Sequence, residues 1–334
     1  MSGATGNLAG APAPSRIARM AGGHVALSVV LTVLLVVALV AMDLLALALN
    51  NPAKVLQHHY FMALGNSISF GYQPNLNFTS GYVDDLFTDL AKANVTDEVN
   101  YACAGESTAT MIHGGCPGHL IHHNAYQGPQ LDAAVSFIQQ HRGHVNPITL
   151  ELGSNDVLPD WNETTCTPSD GAAADLATLD ANLTQTILPR LLAALGPAPL
   201  HQVVDVVLLN YYNPFVVVCP ASTDFAHELN NHLAADAAQF RISVVDVYAA
   251  FGGDAGMADT ICGNPAKGIP AYTWMCNNEF HDLHPTNDGY RAIANAVEHV
   301  LGYPGLNPNG INPVPNLAPA TGWRPRDQRR DVGA

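Results

Sequence analysis

The chain has 334 residues, of which 48% are hydrophobic and only 12% are charged, whereas soluble domains average about 25% charged residues and about 150 residues each. The length therefore allows about two domains, and the sparse charge argues against an ordinary cytosolic surface. With 13 Lys and Arg against 28 Asp and Glu, the formal net charge is −15, which excludes broad binding to nucleic-acid phosphates or to anionic lipid.

An apolar run without a charge occupies residues 25–42, which is long enough to span a bilayer. Arg16 and Arg19 precede it, so the positive-inside rule predicts a cytoplasmic N-terminus and an extracytoplasmic remainder. We favour an uncleaved anchor, and a signal peptide cleaved after Ala48 is the alternative. This region is accordingly divided into a cytoplasmic leader, a transmembrane signal anchor or signal peptide, and a linker, at residues 1–23, 24–49 and 50–58.

Beyond the linker, short apolar runs alternate with amphipathic helical patterns. Pro189 predicts a kink inside one helix, and the polar cluster at Thr286 marks the start of the last helix. The predicted strands cover 60–65, 146–153, 203–214 and 242–251, and the predicted helices cover 81–94, 130–141, 171–196, 222–239 and 286–302.

This alternation is typical of a parallel sheet that is covered by helices on both faces. We therefore predict an α/β fold with one doubly wound, flavodoxin-like domain at residues 59–303 rather than two domains. Residues 304–334 are rich in Pro, Asn and Gly and lack periodicity, which predicts a disordered tail.

Six cysteines all follow the apolar run. An even number of cysteines in an exported chain predicts disulfides, and the absence of any CxxC pair argues against a structural zinc site. Six cysteines allow 15 pairings, so the sequence does not settle the connectivity. The short separations favour Cys103–Cys116 and Cys262–Cys276, which leaves Cys166–Cys219.

Residues capable of chemistry follow several predicted strands, where ligand sites of open α/β sheets lie. Hydrolysis by a serine needs a hydroxyl, a base and donors for an oxyanion. All three are present, in the segments Gly65-Asn66-Ser67, Cys103-Ala104-Gly105, Gly153-Ser154-Asn155-Asp156 and Asp282-Leu283-His284-Pro285-Thr286. Each segment alone is a weak signal, because a serine at a strand end is often only a helix cap.

Together and in this order, the segments resemble the SGNH family of GDSL-type esterases and lipases, whose blocks carry Ser, Gly, Asn and His in the same order. The resemblance covers residues 60–302. Its specific parts are the GSND block at 153–156 and the D-x-HPT-x-x-GY block at 282–290. The chain has no G-x-S-x-G nucleophile elbow, which argues against an ordinary α/β-hydrolase.

The resemblance implies that Ser67 is the nucleophile and His284 the general base. It also implies an oxyanion hole made by the backbone amides of Ser67 and Gly105 and the side chain of Asn155. A glycine permits close approach of its amide, and an asparagine donates without bringing charge.

Two positions depart from the family pattern. Asn66 stands where the family has the aspartate of Gly-Asp-Ser. We expect this difference to adjust the activity rather than to abolish it. The orienting acid usually lies three residues before the histidine, where this chain has His281, while Asp282 lies two before. Either Asp282 orients His284 as the third catalytic residue, or a backbone carbonyl does so and leaves a Ser-His dyad.

Two further groups of residues are weaker candidates. Trp161, Tyr211 and Tyr212 follow predicted strands and either line a substrate pocket or pack in the core. The histidines at 113, 119, 122 and 123 lack metal-ligand spacing, so we interpret them as a loop near the active-site mouth and predict neither a metal nor a cofactor.

We therefore predict an exported serine esterase, anchored in a membrane by its N-terminal segment or secreted after cleavage, and expect a monomer. The acidic chain favours a neutral ester of a lipid, a sugar or a small molecule. Two alternatives stay open, a cell-surface binding module that has lost catalysis and an acyltransferase with an alcohol acceptor.

Overall fold

The computed structural model describes residues 34, 35, 37, 38, 60–93, 95–196 and 206–302. The chain divides into two units, Met1–Pro52 and Ala53–Ala334, and the second contains the fold described below. The predicted leader, linker and tail lie outside the described residues, as does most of the predicted membrane segment. Among the residues described, no helix combines the length and the apolar character needed to cross a membrane.

Five parallel strands form the central sheet, in the order β2-β1-β3-β6-β7. This order confirms the predicted parallel α/β architecture, and β1 has the predicted bounds. The strands are β1 (Tyr60–Gly65), β2 (Asp97–Asn100), β3 (Val145–Glu151), β6 (Val206–Leu209) and β7 (Ser243–Val245). A separate antiparallel pair consists of β4 (Trp161–Asn162) and β5 (Thr167–Pro168).

The helices connect the strands and cover the sheet. They are α1 (Ser67–Phe70), α2 (Tyr82–Leu90), α3 (Thr108–His113), α4 (Gln130–Gln140), α5 (Ser154–Val157), α6 (Ala172–Asn182), α7 (Leu188–Leu195), α8 (Ser222–Gln239), α9 (Val247–Ala250), α10 (Gly253–Cys262) and α11 (Asn287–Leu301). A π-helical segment, Leu183–Ile187, joins α6 to α7, whose second residue is Pro189. Its wider turn accommodates the proline ring and the missing N–H at the position of the predicted kink.

Each face of the sheet has its own core. Phe61 and Ala63 of β1 pack with α2 and α11 on one face, whereas Met62 and Leu64 pack with α4, α7 and α8 on the other. Successive residues of a strand point to opposite faces, so the continuous apolar run of β1 is buried on both sides. The helices therefore lie on both faces, as predicted.

Two strands end several residues earlier than predicted. The strand predicted at 203–214 leaves the sheet after Leu209, and the one predicted at 242–251 ends at Val245. In the second case Asp246 starts a new helix, because its carboxylate accepts the Ala249 N–H at 2.9 Å. An N-cap after a strand turns the chain although the apolar pattern continues.

Disulfides join Cys103 to Cys116, Cys166 to Cys219 and Cys262 to Cys276. These are the pairs that the sequence separations favour. Because disulfides persist in oxidising compartments, the three bonds indicate an extracytoplasmic protein.

Candidate active site

Ser67 is the first residue of α1, directly beyond the carboxyl end of β1. Gly65 has a φ of 126°, and a Cβ there would lie 1.8 Å from the carbonyl oxygen of Glu151, so only glycine allows β1 to pass this close to β3. Asn66 caps α1 by accepting the Ile68 N–H at 2.9 Å. The turn thus places Ser67 at the sheet edge, where 8% of its surface is exposed.

His284 lies between Ser67 and Asp282. Its Nε2 is 2.8 Å from Ser67 Oγ, and its Nδ1 is 2.6 Å from Asp282 Oδ1. A carboxylate can only accept, so Nδ1 carries the proton and Nε2 accepts from the serine hydroxyl. Partial burial raises the pKa of Asp282, but the hydrogen bonds and charge of His284 outweigh it and hold the pKa below its ordinary value. Asp282 is therefore ionised at neutral pH.

The surroundings of His284 fix its position. The Asp282 carboxylate also accepts the His284 backbone N–H at 2.8 Å, and the ring of Tyr72 lies 4.6 Å from the imidazole. Tyr212 donates its hydroxyl to the carbonyl of Leu283 at 2.8 Å. Consequently the imidazole is held by Asp282 and Tyr72, and the backbone just before it is fixed by Tyr212.

Two potential oxyanion donors line the same cavity as Ser67, namely Gly105 and Asn155. Gly105 has a φ of 86°, and a Cβ there would lie 3.1 Å from the ring of Pro117. Asn155, in the short helix α5, donates one amide hydrogen to the carbonyl of Glu106 at 2.9 Å. An amide has two hydrogens, so the second remains for a ligand.

The cavity beside Ser67 has a volume of about 310 Å³. Its lining is mostly apolar and includes Tyr211, Tyr212, Phe215, Phe225 and Leu229. Trp161 is not part of this lining. It stacks against Phe215 and Phe225 from behind, with ring centroids 6.3 and 5.5 Å apart, and is buried.

Comparison with known proteins places this geometry in a family. Residues 63–292 match the model of the GDSL-like lipase/acylhydrolase family. The chain belongs to this family.

Several solved structures of the family's esterases and lipases are similar to the chain. A lipase from a goat rumen metagenome has 20% identity and a TM-score of 0.46, covering 74% of this chain and 99% of its own. An extracellular lipase from Streptomyces rimosus has 20% identity and a TM-score of 0.44, covering 72% and 98%. An acetylxylan esterase from Geobacillus stearothermophilus has 14% identity and a TM-score of 0.44, covering 73% and 94%. No curated protein sequence matches the chain significantly.

At the second position that departs from the family pattern, the structure brings Asp282 rather than His281 to the imidazole. His281 has a φ of 46°, and its backbone N–H donates to the carbonyl of Asn277. This left-handed residue turns the chain so that the next side chain, that of Asp282, reaches Nδ1 of His284.

A buried carboxyl beneath the nucleophile escaped the sequence analysis. Glu151, the last residue of β3, is 1% exposed, and burial raises its pKa to about 8. Asn66 Nδ2 lies 2.9 Å from Tyr211 Oη and 3.3 Å from Glu151 Oε1. The signal available in the sequence is a glutamate inside an otherwise apolar strand.

A second buried carboxyl, that of Glu106, lies under the oxyanion donors. Gln130 donates to its carboxylate at 2.8 Å and also binds both the N–H and the carbonyl of Gly65. Burial raises the pKa of Glu106 to about 7. Gln130 thereby connects the backbone before Ser67 to Glu106, whose carbonyl accepts the hydrogen bond from Asn155.

The histidine cluster does not converge on one point. His113, His119 and His122 line a second cavity of about 460 Å³, whereas His123 Nε2 lies 2.8 Å from the carbonyl oxygen of Phe70. Within the described part of the chain, the one group of three close metal-ligand atoms comes from Glu106 and the two cysteines of a disulfide. Those sulfurs are bonded to each other, so the group does not fit a metal ion.

Proposed function

We propose that the protein is a serine ester hydrolase that acts through an acyl-enzyme, with Ser67, His284 and Asp282 as its catalytic residues. The observation that carries the proposal is the continuous chain from hydroxyl to imidazole to carboxylate, with distances of 2.8 and 2.6 Å. Nucleophile, base and orienting acid at hydrogen-bond distance are what covalent catalysis by serine requires.

In the proposed reaction, His284 Nε2 takes the proton of Ser67 Oγ as the oxygen attacks the ester carbonyl. The backbone amides of Ser67 and Gly105 and the second amide hydrogen of Asn155 then stabilise the oxyanion. His284 passes the proton to the departing alcohol, and water, activated by the same imidazole, hydrolyses the acyl-enzyme. Asp282 stays ionised throughout and stabilises the imidazolium.

We infer that the substrate is an uncharged ester with an apolar acyl group. Apart from Asp282 and His284, the cavity lining contains no Asp, Glu, Lys, Arg or His, so nothing there pairs with a phosphate or carboxylate. Two of its polar residues bond each other, since Asn213 Nδ2 donates to Ser222 Oγ at 2.8 Å. The remaining wall is hydrophobic and suits an alkyl chain better than a sugar.

We further propose that the catalytic domain, residues 59–303, works outside the cytoplasm, held by the segment at 24–49 or released by its cleavage. The three disulfides support an extracytoplasmic location. The apolar run before the domain supplies the export signal in either case.

The test is hydrolysis of nitrophenyl esters from acetyl to dodecanoyl by the full-length protein, with Ser67→Ala as the matched control. We expect turnover that Ser67→Ala abolishes, labelling of Ser67 by a fluorophosphonate, and a preference for acyl groups longer than acetyl. Release of alkyl ester instead of acid when an alcohol is added would indicate an acyltransferase. Absence of both turnover and labelling would refute the proposal and favour a binding module.

A further inference from the structure

Three loops carry the exposed large hydrophobic side chains that the structure describes in this domain. Within the described parts of residues 60–302, the large hydrophobic residues that are exposed are Leu76, Leu120, Ile121, Val217 and Val218, which we call the apolar collar. Leu120 is 86% exposed and Leu76 is 74% exposed. Scattered single apolar residues are normal on a protein surface, but their concentration in one region marks an interaction site.

The same three loops are free of ionic charge. Residues 71–81, 114–129 and 210–221 contain no Asp, Glu, Lys or Arg, although the chain as a whole has 28 acidic residues. The described Lys and Arg side chains lie elsewhere. Lys92, Arg142 and Arg241 precede strands, and Arg190, Lys267 and Arg291 are ion-paired. The collar thus presents apolar side chains with no Lys or Arg to attract an anionic partner.

All three loops lie at the carboxyl edge of the sheet, because each belongs to the connection from the end of β1, β2 or β6 to the helix that returns across a face. Ser67 and His284 lie at the same edge. Each loop also adjoins the cavity beside Ser67. Tyr72, Pro214 and Phe215 line that cavity directly, and Pro117 and Gly118 contact two residues of its lining.

The contact of the middle loop is the most specific. Gly118 donates its N–H to the carbonyl of Ala104 at 2.9 Å, and the ring of Pro117 packs on Gly105. Ala104 and Gly105 are both part of the cavity lining. The exposed pair Leu120 and Ile121 therefore begins two residues after Gly118, which is bonded to the segment that carries a proposed oxyanion donor.

We propose that the apolar collar docks the mouth of the cavity on the surface of aggregated, uncharged lipid. The inference rests on the proposed function, since docking serves to pass an apolar acyl chain from the lipid phase into the cavity. Insertion of the collar removes its apolar surface from water. The lack of Lys and Arg in the loops and the net charge of −15 favour a neutral surface over an anionic bilayer.

The test uses one ester in two physical states. Tributyrin is supplied to the full-length protein below its solubility limit and then as an emulsion, and the ratio of the two rates is measured. The collar variants are Leu120→Ser with Ile121→Ser, and Val217→Ser with Val218→Ser. The control is Gln139→Ser with Arg142→Ser, two exposed residues at the end of α4 near the opposite edge. The N-terminal segment is identical in all of these proteins.

We expect each collar variant to lower the ratio of emulsion rate to soluble rate by about tenfold or more, because docking no longer removes two large apolar side chains from water. The control should keep the ratio. Phosphatidylglycerol added to the droplets should slow the unsubstituted protein.

A ratio that is unchanged in both collar variants would overturn the proposal, including the case in which the two rates fall equally. Absence of hydrolysis in both states by the unsubstituted protein would overturn the proposed function instead. Docking could then still be measured as adsorption of the Ser67→Ala protein to the droplets. Equal adsorption with and without the collar substitutions would overturn the docking proposal.

Discussion

Asn66 replaces the aspartate of the family's first block, and its surroundings explain why an amide suits this chain. Its Nδ2 donates toward Tyr211 Oη and lies 3.3 Å from Glu151 Oε1. An aspartate could not donate there and would place a second carboxyl against that of Glu151, whose pKa burial already raises to about 8. Two carboxyls in one apolar site disfavour each other's ionisation. The amide keeps the helix cap without that repulsion.

Substitution of Asp282 tests the proposed catalytic residues most directly. In Asp282→Asn the side chain keeps its size but loses the charge that stabilises the imidazolium and fixes the proton on Nδ1 of His284. We expect kcat for a soluble nitrophenyl ester to fall on the order of 10³–10⁴-fold, with little change in KM. Steady-state kinetics between pH 5 and 9 measure this.

The matched control for Asp282→Asn is His281→Asn, at the neighbouring position that holds the acid in the family. His281 has a φ of 46°, which asparagine tolerates, so we expect kcat to stay within a few-fold. A kcat for Asp282→Asn close to that of the unsubstituted protein would mean that a backbone carbonyl orients His284. The site would then be a Ser-His dyad.

At the scale of elements, the strand order explains where the site forms. In the order β2-β1-β3-β6-β7, the chain turns to opposite sides of the sheet after β1 and after β3, and a crevice opens between their carboxyl ends. Ser67 follows β1 and Asn155 follows β3. The loop before α11 then brings His284 to the same edge.

Helix α8 limits the depth of the cavity. Phe225, Ala226 and Leu229 line it, as neighbours on one helical face do. In Ala226→Trp we expect the indole to fill the inner part, so that kcat/KM for an octanoyl ester falls by about tenfold or more while that for an acetyl ester stays nearly constant. Rates on the nitrophenyl ester series measure the change.

The same substitution on the outer face of α8 is the control. Ala235 is exposed, so Ala235→Trp adds the same bulk without entering the cavity and should leave the acyl preference unchanged. An equal loss on acetyl and octanoyl esters in Ala226→Trp would show that the acyl chain does not occupy this cavity.

The sequence predicts the elements whose cause is local. The apolar run of β1 and the amphipathic pattern of α8 can be recognised in the sequence, because burial of a strand or of a helix face imposes a period on the sequence. The end of β7 was missed, since the cap at Asp246 is a single contact inside an apolar run. Trp161 follows a strand as a pocket residue would, yet its place behind Phe215 depends on β4.

The site is predictable to a similar extent. Family blocks point to Ser67 and His284, but no periodicity shows that Glu151 lies under Asn66, because that contact joins positions 85 residues apart. Contacts between distant segments are set by the packing of β1 against β3. They therefore become visible only once the sheet is assembled.

At the scale of the whole molecule, the buried carboxyls make the fold depend on pH. Burial raises the pKa of Glu98, Glu106 and Glu298 to about 7 and that of Glu151 to about 8. In the unfolded chain a glutamate loses its proton near pH 4.3. Between these values the folded protein binds more protons than the unfolded chain, so the free energy of unfolding falls as pH rises from about 4.5 to 8.

The stability that Asp282 contributes has the opposite dependence on pH. Its pKa is lowered by His284, so the stability it contributes is present above its unfolded pKa and is lost as the pH falls through the folded value. The two trends together place the maximum of stability at mildly acidic pH, below the neutral range.

Glu151→Gln tests this dependence at one group. The amide keeps the volume and the polar contacts but cannot ionise, so the decline in the free energy of unfolding between pH 5 and pH 8 should shrink by a few kcal/mol. Urea unfolding at the two pH values measures it. Glu228→Gln, an exposed residue of α8, removes the same formal charge and should leave the decline unchanged. If Glu151→Gln and the unsubstituted protein lose equal stability over this range, Glu151 is already ionised in the folded state. An aspartate at position 66 would then be repelled by an ionised carboxylate rather than by a neutral carboxyl group.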